Sequence, residues 1–194
     1  MTEVTAEIKN GKPDGILTAF DIRGRKTHEI EYRNGLKTGN IKVYYDNGQL
    51  KSEQTPEYGK IFYRSGQIYL ESKLENGAFE GKIKEYYEGG NIRSETDYVL
   101  GRKNGLSVYF FENGKTAYEF SFSDDKYSGL IKAYLESGRQ VFEIIYNNDK
   151  PVSGYCFGNE KIALKESEID NWQDIVCWSD EAGLLSMESV ISIK

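Results

Sequence analysis

Between about residues 15 and 150, apolar and polar positions alternate with a period of two in short runs, each closed by a glycine-containing turn. Ile41-Lys42-Val43-Tyr44-Tyr45 and Ser107-Val108-Tyr109-Phe110-Phe111 are such runs, rich in β-branched and aromatic residues. The turns that follow are Asp46-Asn47-Gly48 and Glu112-Asn113-Gly114. Related turns end at Gly24, Gly66, Gly90 and Gly138, so the spacings are 24, 18, 24, 24 and 24 residues. A second glycine (Gly15, Gly39, Gly81, Gly105 or Gly129) precedes five of the six by nine residues. A fixed period of this length marks a repeat array. Six copies of strand, turn and strand are predicted, the third shortened by six residues at its start. Asn-Gly, Gly-Gly and Ser-Gly suit the positive φ angles of two-residue type I′ turns. A second set of turn signals, Asn34-Gly35, Asn76-Gly77 and Asn104-Gly105, joins one hairpin to the next. The expected fold is all-β: tandem β-hairpins forming an elongated, twisted antiparallel sheet.

With turn centres at 47–48 and their equivalents, antiparallel pairing puts Tyr45 opposite Leu50, Val43 opposite Ser52 and Lys42 opposite Glu53. The same register pairs Lys84 with Glu95 and Lys132 with Glu143. The glutamate recurs in every copy, as Glu29, Glu53, Glu71, Glu95, Glu119 and Glu143. It recurs even where its facing residue is Thr18 or Val108, so ion pairing is not its whole role. Hydrogen bonds from turn amides, or from a tyrosine hydroxyl of the next repeat, are expected. An acidic ladder for a basic ligand is the alternative. Every copy also has an aromatic at one position: Phe20, Tyr44, Phe62, Tyr86, Phe110 and Tyr134. Its neighbour is usually aromatic too, so rings line both faces, one row as core and the other half-exposed.

The run Gly81-Lys82-Ile83-Lys84-Glu85-Tyr86-Tyr87-Glu88-Gly89-Gly90-Asn91-Ile92-Arg93-Ser94-Glu95 resembles the MORN-repeat variant found in many bacterial proteins, and 39–53 is nearly as clean. The first copy is degenerate, with Phe20-Asp21 in place of an aromatic pair. The resemblance covers the array and not residues 155–194. It implies a binding protein, of the kind that serves as a bacterial antitoxin or as an immunity protein accompanying a secreted toxin.

Residues 1–154 are read as the array domain, with repeats over 15–150, and 155–194 as a C-terminal cap. Ser167-Glu168-Ile169-Asp170 has the form of a helix N-terminus. Ile169, Trp172, Ile175 and Val176 share one helical face, which predicts a short helix at about 167–177 and then a strand from Leu184 to Ile193. Such a cap would cover the open edge of the sheet. The alternative is that the tail forms part of a partner-binding surface.

Composition narrows the function. Net charge is −6 and mean hydropathy −0.63. The balance lacks the basic footprint of a nucleic-acid binder or of a protein that docks on anionic membranes. It fits a basic partner. No apolar run reaches membrane-spanning length and no secretory signal is visible, so a cytoplasmic location is expected. Cys156 and Cys177 lack CxxC spacing and are expected as reduced thiols. His28 is the only histidine, which excludes multi-histidine zinc sites, and no phosphate-binding loop or nucleophile elbow occurs. The expectation is a non-enzyme without cofactor or metal whose partner is a protein, a toxin by the family's analogy. A scaffold or adaptor for cellular proteins is the first alternative, and a lipid-binding protein the second. The candidate partner-binding residues are Tyr44, Tyr86, Tyr134, Glu53, Glu95 and Glu143.

Overall fold

In the computed structural model, residues 3–157, 161–164, 176–179 and 183–186 are described. Among them the protein is all-β, built on a long antiparallel sheet of 16 strands that does not close on itself. The chain divides into two compact units, residues 1–92 with 98–101, and residues 93–97 with 102–194.

In the first unit, β1 (Glu3–Thr5) pairs with β4 (Gly15–Phe20). The hairpin of β2 (Ile8–Lys9) and β3 (Lys12–Pro13) lies between them in sequence. The sheet continues through β5 (Lys26–Arg33), β6 (Leu36–Tyr44), β7 (Leu50–Gln54), β8 (Tyr58–Phe62), β9 (Ile68–Glu75) and β11 (Gly81–Tyr86). The short β10 (Ala78–Phe79) folds back on β9. Next in sequence is β12 (Ile92–Val99), which contributes residues to both units. The second unit runs through β13 (Arg102–Phe110), β14 (Thr116–Ser123), β15 (Lys126–Tyr134), β16 (Gln140–Asn147), β17 (Lys150–Phe157) and β18 (Lys161–Ala163). A separate hairpin of β19 (Val176–Ser179) and β20 (Gly183–Ser186) has its backbone against β16 and β17.

The turn chemistry is distributed differently from the sequence expectation. Within a hairpin the loop has three residues. Tyr45 N–H donates to Gln49 O at 2.8 Å, Gly48 N–H donates to Tyr45 O at 3.0 Å, and Gly48 has φ +84°. This is a turn closed by one left-handed glycine, not a two-residue type I′ turn. The extra residue displaces the register, so Tyr44, and not Tyr45, faces Leu50. Lys51 is then left over as a β-bulge, and the expected pairs Val43–Ser52 and Lys42–Glu53 are restored beyond it. The same slip leaves Thr27, Tyr69, Ala117 and Val141 unpaired, one per hairpin. Positive φ at both central residues, the type I′ signature, is found instead in the turns between hairpins, such as Asn34-Gly35, Asn76-Gly77 and Asp124-Asp125.

The two units differ in core. In the second, Ala117, Tyr118, Ile131, Ala133, Val141, Phe142, Ile144, Tyr146 and Cys156 form a buried cluster. Leu164 packs against this cluster and donates its amide to Gly154 O at 2.8 Å. In the first unit, among the described residues, only Ile83 and Ser72 are buried, each still 7% exposed. Its sheet is held mainly by backbone ladders and by contacts from one hairpin to the next.

Two expectations for the tail need revision. The helix expected at 167–177 falls mostly outside the described residues, and its last two, Val176 and Cys177, belong to strand β19. Cys156 is disulfide-bonded, not a reduced thiol, and Cys177 is the chain's only other cysteine. Residues 21 positions apart show no pairing motif in sequence; the fold decides whether they meet.

Candidate functional site

Each repeat contributes one polar position per strand to the same face of the sheet, because alternate strand residues share a face. In the first unit the facing residues run Thr18, Glu29, Lys42, Glu53, Lys60, Glu71 and Lys84 across successive strands. In the second they run Val108, Glu119, Lys132, Glu143 and Tyr155. The result is a ladder of alternating charge. Lys42 Nζ lies 3.5 Å from Glu53, and Lys132 Nζ lies 3.1 Å from Glu119. Pairs like these are largely solvent-screened and add at most about 1 kcal/mol each. Lys132 is nonetheless held above the usual lysine range, chiefly by its hydrogen bond to Glu119.

The recurrent tyrosines lie on this face and complete the ladder. Tyr44 donates its hydroxyl to Glu29, and Tyr86 donates to Glu71. Tyr134 is bonded in the same way to Glu119. Each phenol thus reaches the glutamate of the preceding repeat, which explains why the carboxylate recurs where the facing residue within its own hairpin is Thr18 or Val108. All three rings are half-buried. Glu53, Glu95 and Glu143, on the second strands of these hairpins (β7, β12 and β16), are half-buried as well, and Glu143 also accepts a bond from Gln140 at 3.2 Å. Beside the ladder, a hollow of about 310 Å³ is lined by Ile16, Glu29, Glu31, Lys42, Glu53 and Tyr58, among others.

Sequence reasoning missed a second set of connections. Tyr45 donates its hydroxyl to Phe62 O at 2.7 Å, and Tyr63 donates to Tyr86 O at 2.7 Å. The neighbouring aromatic of each pair is therefore a staple to the next hairpin. The inter-hairpin turns are also bonded in series: Gly101 N–H to Phe79 O, Asp125 N–H to Lys103 O and Asp149 N–H to Tyr127 O, each at 2.9 Å. The recurrence of Tyr45 and Tyr63 at the repeat spacing was the available signal. Their partners are backbone carbonyls, which carry no side-chain signature.

The site's electrostatics favour fixed charge over proton transfer. Among the described residues, Asp21, Glu29 and Glu31 are all shifted down. The Arg25 backbone amide and guanidinium hold Asp21 at about 2. Lys26 and then Tyr44 lower Glu29, and Thr38 and Asn40 lower Glu31. A general acid at neutral pH needs the opposite shift. Among the described residues, no group of three or more His, Cys, Asp or Glu side chains is placed to hold a metal ion. Also among them, no helix is long and apolar enough to cross a membrane.

Glu29→Ala should lower stability by about 1–2 kcal/mol, mostly through the phenol left without its acceptor, and Glu29→Gln by less. Because Glu29 is lowered in the folded state, its contribution is present above the ordinary value of 4.5 and is lost as pH falls through the folded value. Tyr44 is raised, chiefly by burial and then by Glu29. Its contribution is full below the ordinary value of 10.0 and is lost as pH rises through the raised value. Urea midpoints measured across pH should therefore fall at both ends, and Glu29→Gln should flatten the acid limb. An unchanged acid limb would count against the phenol–carboxylate bond.

No curated protein matches the chain. A solved structure titled "Crystal Structure of TarM" is 12% identical over 64% of this chain and 21% of that chain, with a TM-score of 0.29. A likeness of that degree assigns neither fold nor function, and the chain spans about a fifth of that protein's length. The family model described as "MORN repeat variant" matches residues 37–55, 79–99 and 103–124. Three of the hairpin repeats thus match the MORN repeat variant, and a match of this kind suggests a repeat-type binding protein.

Proposed function

We propose that this chain is a non-catalytic binding protein that neutralises a protein partner by covering it, as an antitoxin or immunity protein does. The observation that carries the reading is that in each unit half-buried tyrosines are fixed by carboxylates on a charge-alternating face, Tyr44 and Tyr86 in the first and Tyr134 in the second. Rings held in place lose little freedom on binding, and tyrosines of this kind are common interface anchors. The hollow beside Glu29, Glu31 and Glu53 would accept a basic side chain of the partner.

Charge is distributed so as to separate attraction from contact. Residues 155–194 contain eight acidic and three basic residues, whereas residues 1–154 contain 23 and 22. A basic partner is drawn toward the C-terminal segment, and the near-neutral array supplies shape and rings. Charge changes in 155–194 should alter the association rate and its salt dependence more than the dissociation rate.

The test uses this chain as bait in extracts of its native host, followed by titration of the captured protein's activity. Tyr134→Ala should weaken the complex roughly tenfold or more while the fold persists, and Tyr134→Phe, which keeps the ring, should retain most binding. Equal binding by wild type and Tyr134→Ala would remove the tyrosine face from the account. Recovery of many unrelated housekeeping proteins would favour a scaffold. Binding to anionic liposomes without any protein partner would favour a lipid-binding role.

A further inference from the structure

The third repeat is six residues short, and the fold shows where they are missing. Strands β7 and β8 are joined by Thr55-Pro56-Glu57, closed by a Thr55 N–H to Tyr58 O bond of 2.8 Å, where other hairpins are joined by a protruding type I′ turn. On the sheet face opposite the charge ladder, the cross-strand row here is Gln54, Gly59 and Ser72. The equivalent row in the second unit is Phe120, Ile131 and Ile144. Large side chains are thus replaced by small or polar ones. A cavity of about 550 Å³ results, walled by Ile61, Leu70, Leu74, Ala78 and Phe79 and reaching Gly101.

Leu100 stands next to this cavity but not in it. It is 80% exposed and has φ +51°. The corresponding place in the other inter-hairpin turns is taken by Asn34, Asn76, Asp124 and Asn148, residues that tolerate the left-handed region. Ile22 and Leu36 are about as exposed, yet neither has positive φ. Leu100 therefore bears backbone strain and apolar exposure together, a combination that costs stability and is maintained at functional positions. Val99 and Phe79 beside it are also exposed.

We infer that this patch is a self-association surface, on which the Leu100 of one copy seats in the cavity beside Ile61 and Phe79 of a second copy, and the reverse. Knob and socket are adjacent on one patch, which is what a two-fold interface requires. The array is near-neutral in charge, so two copies meet there without strong repulsion. The exposed apolar residues are few, so the dimer is a weak one. This inference is independent of the tyrosine face.

Sedimentation velocity of the full chain, run from low to high micromolar concentration, should show reversible dimerisation. Leu100→Asn should weaken it roughly tenfold or more and at the same time raise the thermal midpoint by about a few degrees, because the strain is relieved. Ile61→Glu places a charge on the socket wall and should also abolish dimerisation, with a midpoint near that of wild type. A wild-type chain that stays monomeric throughout overturns the inference, as does a dimer that Leu100→Asn and Ile61→Glu both leave intact.

Discussion

Phe142→Ala should destabilise the second unit by about 3–5 kcal/mol, a large share of the roughly 5–15 kcal/mol that holds a typical domain together. Phe142 is only 2% exposed, and Ile131 and Ile144 beside it are 0% exposed. In strand β16 it faces Ala133 on one side and Cys156 on the other. A truncation there leaves a cavity that these strands cannot close, because backbone ladders fix their spacing. The loss should appear as a lower urea midpoint. Hydrogen exchange should report it mainly in β13 to β17, since repeats couple to their nearest neighbours. A uniform rise in exchange across β4 to β9 as well would mean that the array unfolds as one body.

Gly129→Ala should cost about 2–4 kcal/mol, more than alanine at any hairpin-turn glycine with open space around it. Gly129 has φ +111°, and a Cβ added there would lie 3.0 Å from the Cβ of Ser121. That neighbour is fixed to its own backbone and cannot swing away. Gly114 is the internal control. Its φ is +80°, and an added Cβ would meet nothing within 4 Å. Gly114→Ala should therefore show conformational strain alone, about 1–2 kcal/mol. The difference between the two midpoints isolates the contact. If both variants lose the same stability, packing is not what reserves Gly129 for glycine.

The repeat, the β-class and most cross-strand pairs were legible in the sequence because they rest on two periods, two residues along a strand and 24 along the chain. The Glu–Tyr link between repeats was legible as well. A glutamate that recurs beside residues as different as Thr18 and Val108 must bond to something other than its facing residue. The turn types were not legible. Asp46-Asn47-Gly48 fits a two-residue turn as well as a three-residue loop, and the choice rests on where Lys51 can bulge. The Cys156 disulfide was hidden for a related reason, since it depends on tertiary approach and not on local spacing. The cavity beside Gly59 was visible only as a spacing of 18 in place of 24. The sequence showed that residues were lost, but not that the loss would leave a socket beside a strained leucine.

The charge balance of the face was legible too. Lys42, Lys84 and Lys132 recur opposite glutamates in the sequence register, which marks a neutralised face, and the strand pairing places Lys42 opposite Glu53 and Lys132 opposite Glu143. The excess behind the net charge of −6 lies in residues 155–194. On the proposed reading, contact with a partner through this face would depend on ring surface and shape, which salt does not screen.

The central claim is that this chain acts by binding and not by turnover, and a stoichiometric titration of its captured partner tests it most directly. The partner's activity should fall linearly with added chain and reach its floor at a fixed, near-equimolar ratio. The partner's covalent mass should be unchanged, and activity should return when the complex is dissociated. Full inactivation by a small fraction of an equivalent, or a lasting change in the partner's mass, would contradict the account.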